Sequence, residues 1–224
     1  MAATIQFFLP PTGGKSLLGR SGGVGASMTD WDAVVVGAGA AGLMTAIHAA
    51  ERGRRVLLLE KGRKPGVKIL MSGGTRCNIT HDCDNRGIIE AFGPNGKFLH
   101  SALAAFGVRD AIAFFEGEGV ATKVEDTGKI FPVSDRALDV LNALLRRLER
   151  SGATLATSEP VREIVARPEG GFHLTTAVRE VTTPHVVVTT GGRSYPAAAR
   201  RATATPSPPS SATRSYRPGP RWCH

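Results

Sequence analysis

The stretch Ala33-Val34-Val35-Val36-Gly37-Ala38-Gly39-Ala40-Ala41-Gly42 decides how this 224-residue chain is read. Four apolar residues in a row leave no polar side to face water, so Ala33 to Val36 suits a parallel strand covered on both faces. The glycines after it fit G-x-G-x-x-G, in which Gly37 allows a tight turn and Gly39 lets the backbone approach a pyrophosphate. Gly42 lets helix and strand pack closely, and the helix opening at Ala40 and Ala41 turns its positive end toward an anion.

Outward from this turn, Ala40 to Arg52 reads as a helix rich in Ala, Leu, Met and Ile, stopped by Gly53. Val56-Leu57-Leu58-Leu59 is a second apolar strand. Glu60 ends it, 18 residues after Gly42, where an acid accepts hydrogen bonds from an adenosine ribose hydroxyl and repels a 2′-phosphate. A glycine-rich turn alone can be mere packing. Strand, turn, helix, second strand and terminal acid together indicate dinucleotide binding in an α/β, Rossmann-like, doubly wound parallel sheet.

Lys61 to Thr80 is a polar, glycine-rich connection of a length usually reserved for function. Helical patterns follow at Asn95 to Phe106 and Val108 to Glu116, then a hairpin over Thr122 to Phe131 around Asp126-Thr127-Gly128. Ser134 is the expected N-cap of a helix with Ala137, Leu138, Leu141, Leu144, Leu145 and Leu148 on one face, ended by Gly152. Strands are predicted at Val161 to Ala166, Phe172 to Ala177 and His185 to Thr190. From residue 197 to the end there is no Ile, Leu, Val, Met or Phe, so this tail is expected to be disordered.

Three further stretches carry a family resemblance: Lys68-Ile69-Leu70-Met71-Ser72-Gly73-Gly74-Thr75-Arg76-Cys77-Asn78, Lys129-Ile130-Phe131-Pro132-Val133-Ser134-Asp135-Arg136-Ala137, and Val186-Val187-Val188-Thr189-Thr190-Gly191-Gly192-Arg193-Ser194-Tyr195-Pro196. With the glycine turn they resemble the BaiN-like, or aminoacetone oxidase-type, FAD-binding flavoproteins. The resemblance implies FAD on the first βαβ unit, with Gly37, Gly39, Ala40, Ala41 and Gly42 at its diphosphate, Glu60 on the ribose and Lys61 beside it. It further implies Ser72, Gly73, Gly74, Arg76, Cys77 and Asn78 around the pyrophosphate and ribityl chain, the Val161 backbone at the adenine edge, and Gly191 and Gly192 at the same site. Lys68 and Arg76 have two readings, phosphate contacts or solvated loop charges, and are counted with the cofactor site. Intact relatives would pass a hydride from NAD(P)H through FAD to an organic acceptor. No residue stands out as a general acid or base.

Two departures from the resemblance matter. Thr75 stands where the pattern has a third glycine, so the loop must avoid positive φ there or accept strain. After Tyr195-Pro196 the pattern stops and an Arg/Pro/Ala/Ser tail begins, as an out-of-frame or truncated gene product would read. The FAD domain is accordingly expected over 28–196, incomplete, with helices in 85–150. The alternative to an oxidoreductase is a truncated, non-catalytic fragment that folds poorly or only binds FAD.

The net charge of +9 raises nucleic acid or an anionic surface as partners. Seven of those charges, Lys15, Arg20, Arg200, Arg201, Arg214, Arg217 and Arg221, sit in acid-free ends, leaving +2 between Met28 and Pro196. No nucleic-acid partner is therefore expected, and binding by the basic tail is the least favoured reading. No apolar run reaches the length of a membrane span, so no membrane is expected either. Three sparse cysteines suit a reducing, cytoplasmic compartment better than a disulfide scaffold, and Cys77, His81 and Cys83 lack the partners of a zinc site, so no metal is expected. Residues 1–27 read as an organelle transit segment or, preferably, as a mis-assigned start upstream of Met28, in either case disordered.

Overall fold

The computed structural model describes residues 6–8 and 31–192. The chain runs β1 (Gln6–Phe8), β2 (Ala33–Val36), α1 (Ala40–Ala50), β3 (Val56–Leu59), α2 (Val67–Met71), β4 (Thr80–His81) and α3 (Asn85–Ala91). A 3-10 helix (Gly93–Leu99), α4 (His100–Ala105), α5 (Val108–Gly117), β5 (Thr122–Val124), β6 (Lys129–Pro132) and α6 (Ala137–Ser151) follow. The last elements are β7 (Thr154–Ala156), β8 (Val161–Ala166), β9 (Phe172–Thr176), β10 (Glu180–Thr183) and β11 (Val186–Val188).

The apolar runs pair as their composition requires. Strands β11, β2, β3 and β7 lie side by side and parallel, with β1 added antiparallel on β11, in the order β1-β11-β2-β3-β7. Alternate side chains go to opposite faces. On one face Val35, Val56, Leu58 and Val187 meet Leu43, Ala46 and Ile47 of α1 and Val140, Leu141, Ala143, Leu144 and Leu148 of α6. On the other, Val34, Leu57, Leu59 and Val186 pack against Phe172, Leu174 and Val181. These last belong to an antiparallel sheet β10-β9-β8, which roofs the face that a strictly helix-covered sheet would give to helices. A third small sheet, β4-β6-β5, carries the hairpin predicted around Gly128.

The Rossmann-like α/β fold is thus the one expected, with local differences. The segment read as one helix from Asn95 divides into the 3-10 helix and α4, and α3, β4, β7 and β10 add elements too short or too polar for a periodic signal. On α6, Ala137, Leu141, Leu144 and Leu148 are buried as expected, but Leu138 is exposed while Val140 and Ala143 are buried, so the buried stripe is rotated slightly from the expected face. Ser134 is not its N-cap. The residue before the helix is Arg136, without a side-chain cap, and the Ala137 N–H donates to the Thr75 carbonyl at 2.9 Å, so a loop main chain takes the place of a hydroxyl. Within the leader expected to lack structure, Gln6–Phe8 instead pairs with β11, because a free parallel-sheet edge offers unpaired backbone groups to any extended segment. The remainder of that leader, Arg193 to Pro196 and the tail after it lie outside the described residues. Among the described residues no single helix is long and apolar enough to cross a membrane.

Leu58 is fully buried between the sheet and its helices. Leu58→Ala is expected to lower the unfolding free energy by about 2–5 kcal/mol in a denaturant titration, with the slope unchanged.

Candidate dinucleotide site

The chain leaves β2 toward β3 and β7 on one side and returns as β11 on the other, so the C-terminal ends of β2 and β11 border the point where strand order reverses. In open parallel sheets the crevice outside such strand ends receives ligands. The glycine turn stands there. Gly37 has φ +103°, and a Cβ on it would lie 2.9 Å from the Thr189 carbonyl oxygen, so only glycine fits. A Cβ on Gly42 would overlap the Gly37 carbonyl oxygen, which confirms the close helix-to-strand packing read from the motif. Gly39 is different: a Cβ there would meet nothing within 4 Å, so that side of the turn is open.

Thr189, at the end of β11, seals the turn from behind. Its hydroxyl reaches the carbonyl oxygens of Val36 at 2.9 Å and Gly37 at 2.8 Å, and its N–H donates to Val36 at 2.9 Å. Helix α1 begins with Gly39 as its N-cap, with no side-chain cap and no acid in the first turn. Its first N–H groups, from Ala40 and Ala41 onward, are therefore left to solvent or an anion.

Glu60 joins the turn to the neighbouring strand. Its Oε2 accepts the Ala38 N–H at 2.8 Å and its Oε1 accepts the Gly62 N–H at 2.8 Å. A carboxylate offers about four lone-pair sites, so these two bonds leave capacity for hydroxyl donors. Lys61, beside it, is exposed. The next loop is fastened to the same turn: the Gly66 N–H donates to the Ala38 carbonyl at 2.8 Å and opens α2. One residue into that helix, exposed Lys68 carries its ammonium over Gly191, where an added Cβ would lie 2.9 Å from Nζ. Among the described residues no carboxylate pairs with Lys68, an arrangement common to a phosphate contact and to a solvated loop charge.

Arg76 is placed otherwise. It pairs with Glu125 and, at 3.4 Å, with Asp135, and its guanidinium lies 4.1 Å from the centre of the Phe131 ring. These partners make it an anchor between the loop and the β5–β6 hairpin. Lys123 also reaches Asp135, at 2.5 Å, and holds that carboxyl below the usual carboxylate range. Gly73 packs on Phe131, and Gly73, Gly74, Thr75 and Cys77 all take positive φ, so Thr75 accepts the strain at φ +71°. Ser72 is half-buried and its carbonyl receives the Cys77 N–H at 2.9 Å; Asn78 is exposed. Cys77 is buried, and burial pushes its thiol up to about 11, so it stays neutral at physiological pH and packs rather than reacts. Among the described residues no three His, Cys, Asp or Glu side chains gather as a metal site.

The β7–β8 connection approaches the same end of the sheet as Glu60. The Glu159 N–H donates to the Glu60 carbonyl and the Ser158 N–H to the Gly62 carbonyl, both at 2.9 Å, which brings Val161 to the same end of the sheet. Gly191 is exposed and Gly192 half-buried at the rim formed by β11. Sequence reasoning missed Thr189 and Glu159. A hydroxyl residue ahead of a glycine pair was the one available signal for the first, and the second had none.

Residues 31–205 match the model of the HI0933-like protein Rossmann domain. The chain belongs to the HI0933-like family. Two curated relatives bear the name ribosomal RNA dihydrouridine synthase. The one from Escherichia coli K12 is 38% identical over 169 residues, covering 75% of this chain and 41% of the relative. The one from Haemophilus influenzae Rd is 30% identical over 168 residues, covering 73% and 41%. The chain therefore spans about two fifths of the length of the curated relatives it matches. Among solved structures, the 3-ketosteroid-delta4-(5alpha)-dehydrogenase of Rhodococcus jostii RHA1 superposes with a TM-score of 0.52 at 18% identity, covering 70% of this chain and 44% of the other, a likeness of fold. The HI0933-like match takes in the glycine turn, Glu60, the Lys68 to Asn78 loop and the Thr189 to Gly192 rim.

Gly42→Ala is expected to cost about 1–3 kcal/mol of stability through overpacking, whereas Gly39→Ala changes it by less than about 1 kcal/mol; chemical denaturation of both variants reads the contrast. Thr75→Gly, which removes a β-branched side chain from positive φ, is expected to raise the unfolding free energy by about 1 kcal/mol in the same assay.

Proposed function

We propose that this chain is the FAD-binding portion of a flavin-dependent oxidoreductase whose substrate is a uridine base of ribosomal RNA. The observation that carries the cofactor reading is the clasp of Glu60 on the glycine turn beside the open side of Gly39, at the reversal of strand order. The residues present fit an adenine dinucleotide. Gly39 leaves room for a diphosphate, the uncapped start of α1 presents N–H donors to it, and Lys68 brings a positive charge to the rim. Glu60 keeps lone pairs for ribose hydroxyls, and the main chain at Val161 is available to an adenine edge. Arg76 holds the Ser72 to Asn78 loop in shape from outside.

A bound flavin would supply two-electron hydride transfer, with NAD(P)H as the proposed donor. The protein's own part is to orient the cofactor, to neutralise its phosphates and to keep Cys77 protonated and out of the chemistry. For the substrate, the name carried by the 38%-identical relative supports a pyrimidine in ribosomal RNA over the small organic acceptor that the BaiN-like resemblance implies. This reading sets aside the expectation of no nucleic-acid partner. We also place the protein in the cytoplasm, where sparse cysteines stay reduced.

The full chain is expected to take up FAD in near-stoichiometric amount and to unfold at a higher temperature with it, its unfolding free energy rising by about 2.7 kcal/mol at free FAD a hundred times Kd. Glu60→Ala and Gly39→Ala are each expected to weaken uptake at least about tenfold, the first through lost charge-assisted hydrogen bonds. A wild-type chain that stays colourless with excess FAD overturns the assignment. Addition of two hydrogens to uridine in a ribosomal RNA transcript, with NAD(P)H, is the activity expected of a longer protein that contains this portion, and its absence there counts against the substrate alone.

A further inference from the structure

Glu159 is the carboxylate that the site described above does not use, and its surroundings are unusually complete. Its side chain is 6% exposed, and Arg179 grips it with both Nε and Nη2 at 2.9 Å. The Thr176 hydroxyl lies 3.0 Å away and also accepts the Val178 and Arg179 N–H groups, at 3.1 and 2.9 Å. Thr176, Val178 and Arg179 form the tip of the β9–β10 hairpin, where the Thr176 N–H closes the turn on the Arg179 carbonyl at 2.9 Å. The Ala177 N–H donates to Pro160 at 3.2 Å. The hairpin tip therefore holds the Glu159-Pro160 segment by side chain and main chain together.

That segment in turn holds the site. The Glu159 N–H donates to the Glu60 carbonyl, the Ser158 N–H to the Gly62 carbonyl, and Ser158 takes φ +57° to make both bonds. A non-glycine residue persists in that conformation only where its surroundings over-determine it. Beyond Glu60, the line continues through its carboxylate to the Ala38 N–H. Glu159 is buried while Arg179 stays exposed, so the bidentate pair and the Thr176 hydroxyl hold the carboxylate in a fixed geometry in place of solvent.

We propose that Glu159 and Arg179 are positioning residues for the adenosine end of the dinucleotide site: through the hairpin tip they fix the height of the Glu60 main chain, and so aim its carboxylate at the ribose. The inference rests on the dinucleotide reading of the crevice. The roof sheet is then part of the binding site and not only a cover for Val34 and Leu57. Arg179 and Glu159 touch no ligand; they act through Glu60.

The test uses the full chain with 5′-ADP and 2′,3′-dideoxy-ADP as probes, measured by calorimetry, on wild type, Glu159→Ala, Arg179→Met and the paired Glu159→Met/Arg179→Met variant, whose apolar pair avoids a lone buried charge. Wild type is expected to bind ADP about tenfold more tightly than the dideoxy compound, as one hydrogen bond to a charged group contributes. In each variant that still unfolds cooperatively, that ratio is expected to fall toward one. A purely structural role would weaken both probes alike and leave the ratio at its wild-type value, and that result overturns the proposal. Wild type that binds neither probe overturns the dinucleotide reading itself, whereas wild-type discrimination that persists in the variants removes this inference alone.

Discussion

The carboxylate of Glu60, held between the N–H groups of Ala38 and Gly62, is the constraint on which the rest of the site depends. Two parallel strands can carry their ends apart once pairing stops. Here the first residue after β3 reaches across and bonds Ala38, two residues after β2, so the turn and the acid cannot drift relative to one another. With Thr189 closing the turn from the β11 side, three strand ends converge on one short piece of backbone. A carboxylate that accepts a main-chain N–H on each oxygen is also held in one direction at the rim of the crevice.

The loop from Gly66 to Asn78 is organised around that turn by a different device. Its start is bonded to Ala38, its middle runs through a succession of positive-φ residues, and its end is pinned by Arg76 to Glu125, Asp135 and Phe131. The Thr75 carbonyl also caps α6 through Ala137. Strain at Thr75 is thereby spread over a helix terminus, a hairpin and a charge cluster. These contacts hold the stretch from Ser72 to Asn78, which follows α2, in shape without regular secondary structure.

The roof sheet β10-β9-β8 gives the fold its second hydrophobic contact, through Phe172, Leu174 and Val181 against the underside of the parallel strands. The same hairpin brings Arg179 to Glu159. Packing and site geometry are thus coupled: the face that buries Val34 and Leu57 is carried by the element that clamps the main chain of Glu60.

Much of this was legible in order. Ala33 to Val36 and Val56 to Leu59 are short, wholly apolar and separated by an alanine-rich helix, a pattern that only a covered parallel sheet satisfies, and the spacing from Gly42 to Glu60 named the turn and its acid. The roles of Gly37 and Gly42 followed from the motif because they concern backbone within a few residues. The sequence could not say that Arg76 is engaged by Glu125 and Asp135, 49 and 59 residues away, because a lone cation in a loop reads the same whether its partner is a phosphate or a distant carboxylate. Nor could it show that the second face is roofed by strands, that Thr75 tolerates positive φ, or that Glu159 is buried. Those outcomes are decided by which remote groups the folded sheet brings within hydrogen-bonding reach, an energy that local pattern does not contain. The strand, the turn and the acid were written in adjacent residues; how they are held was decided only when the chain closed on itself.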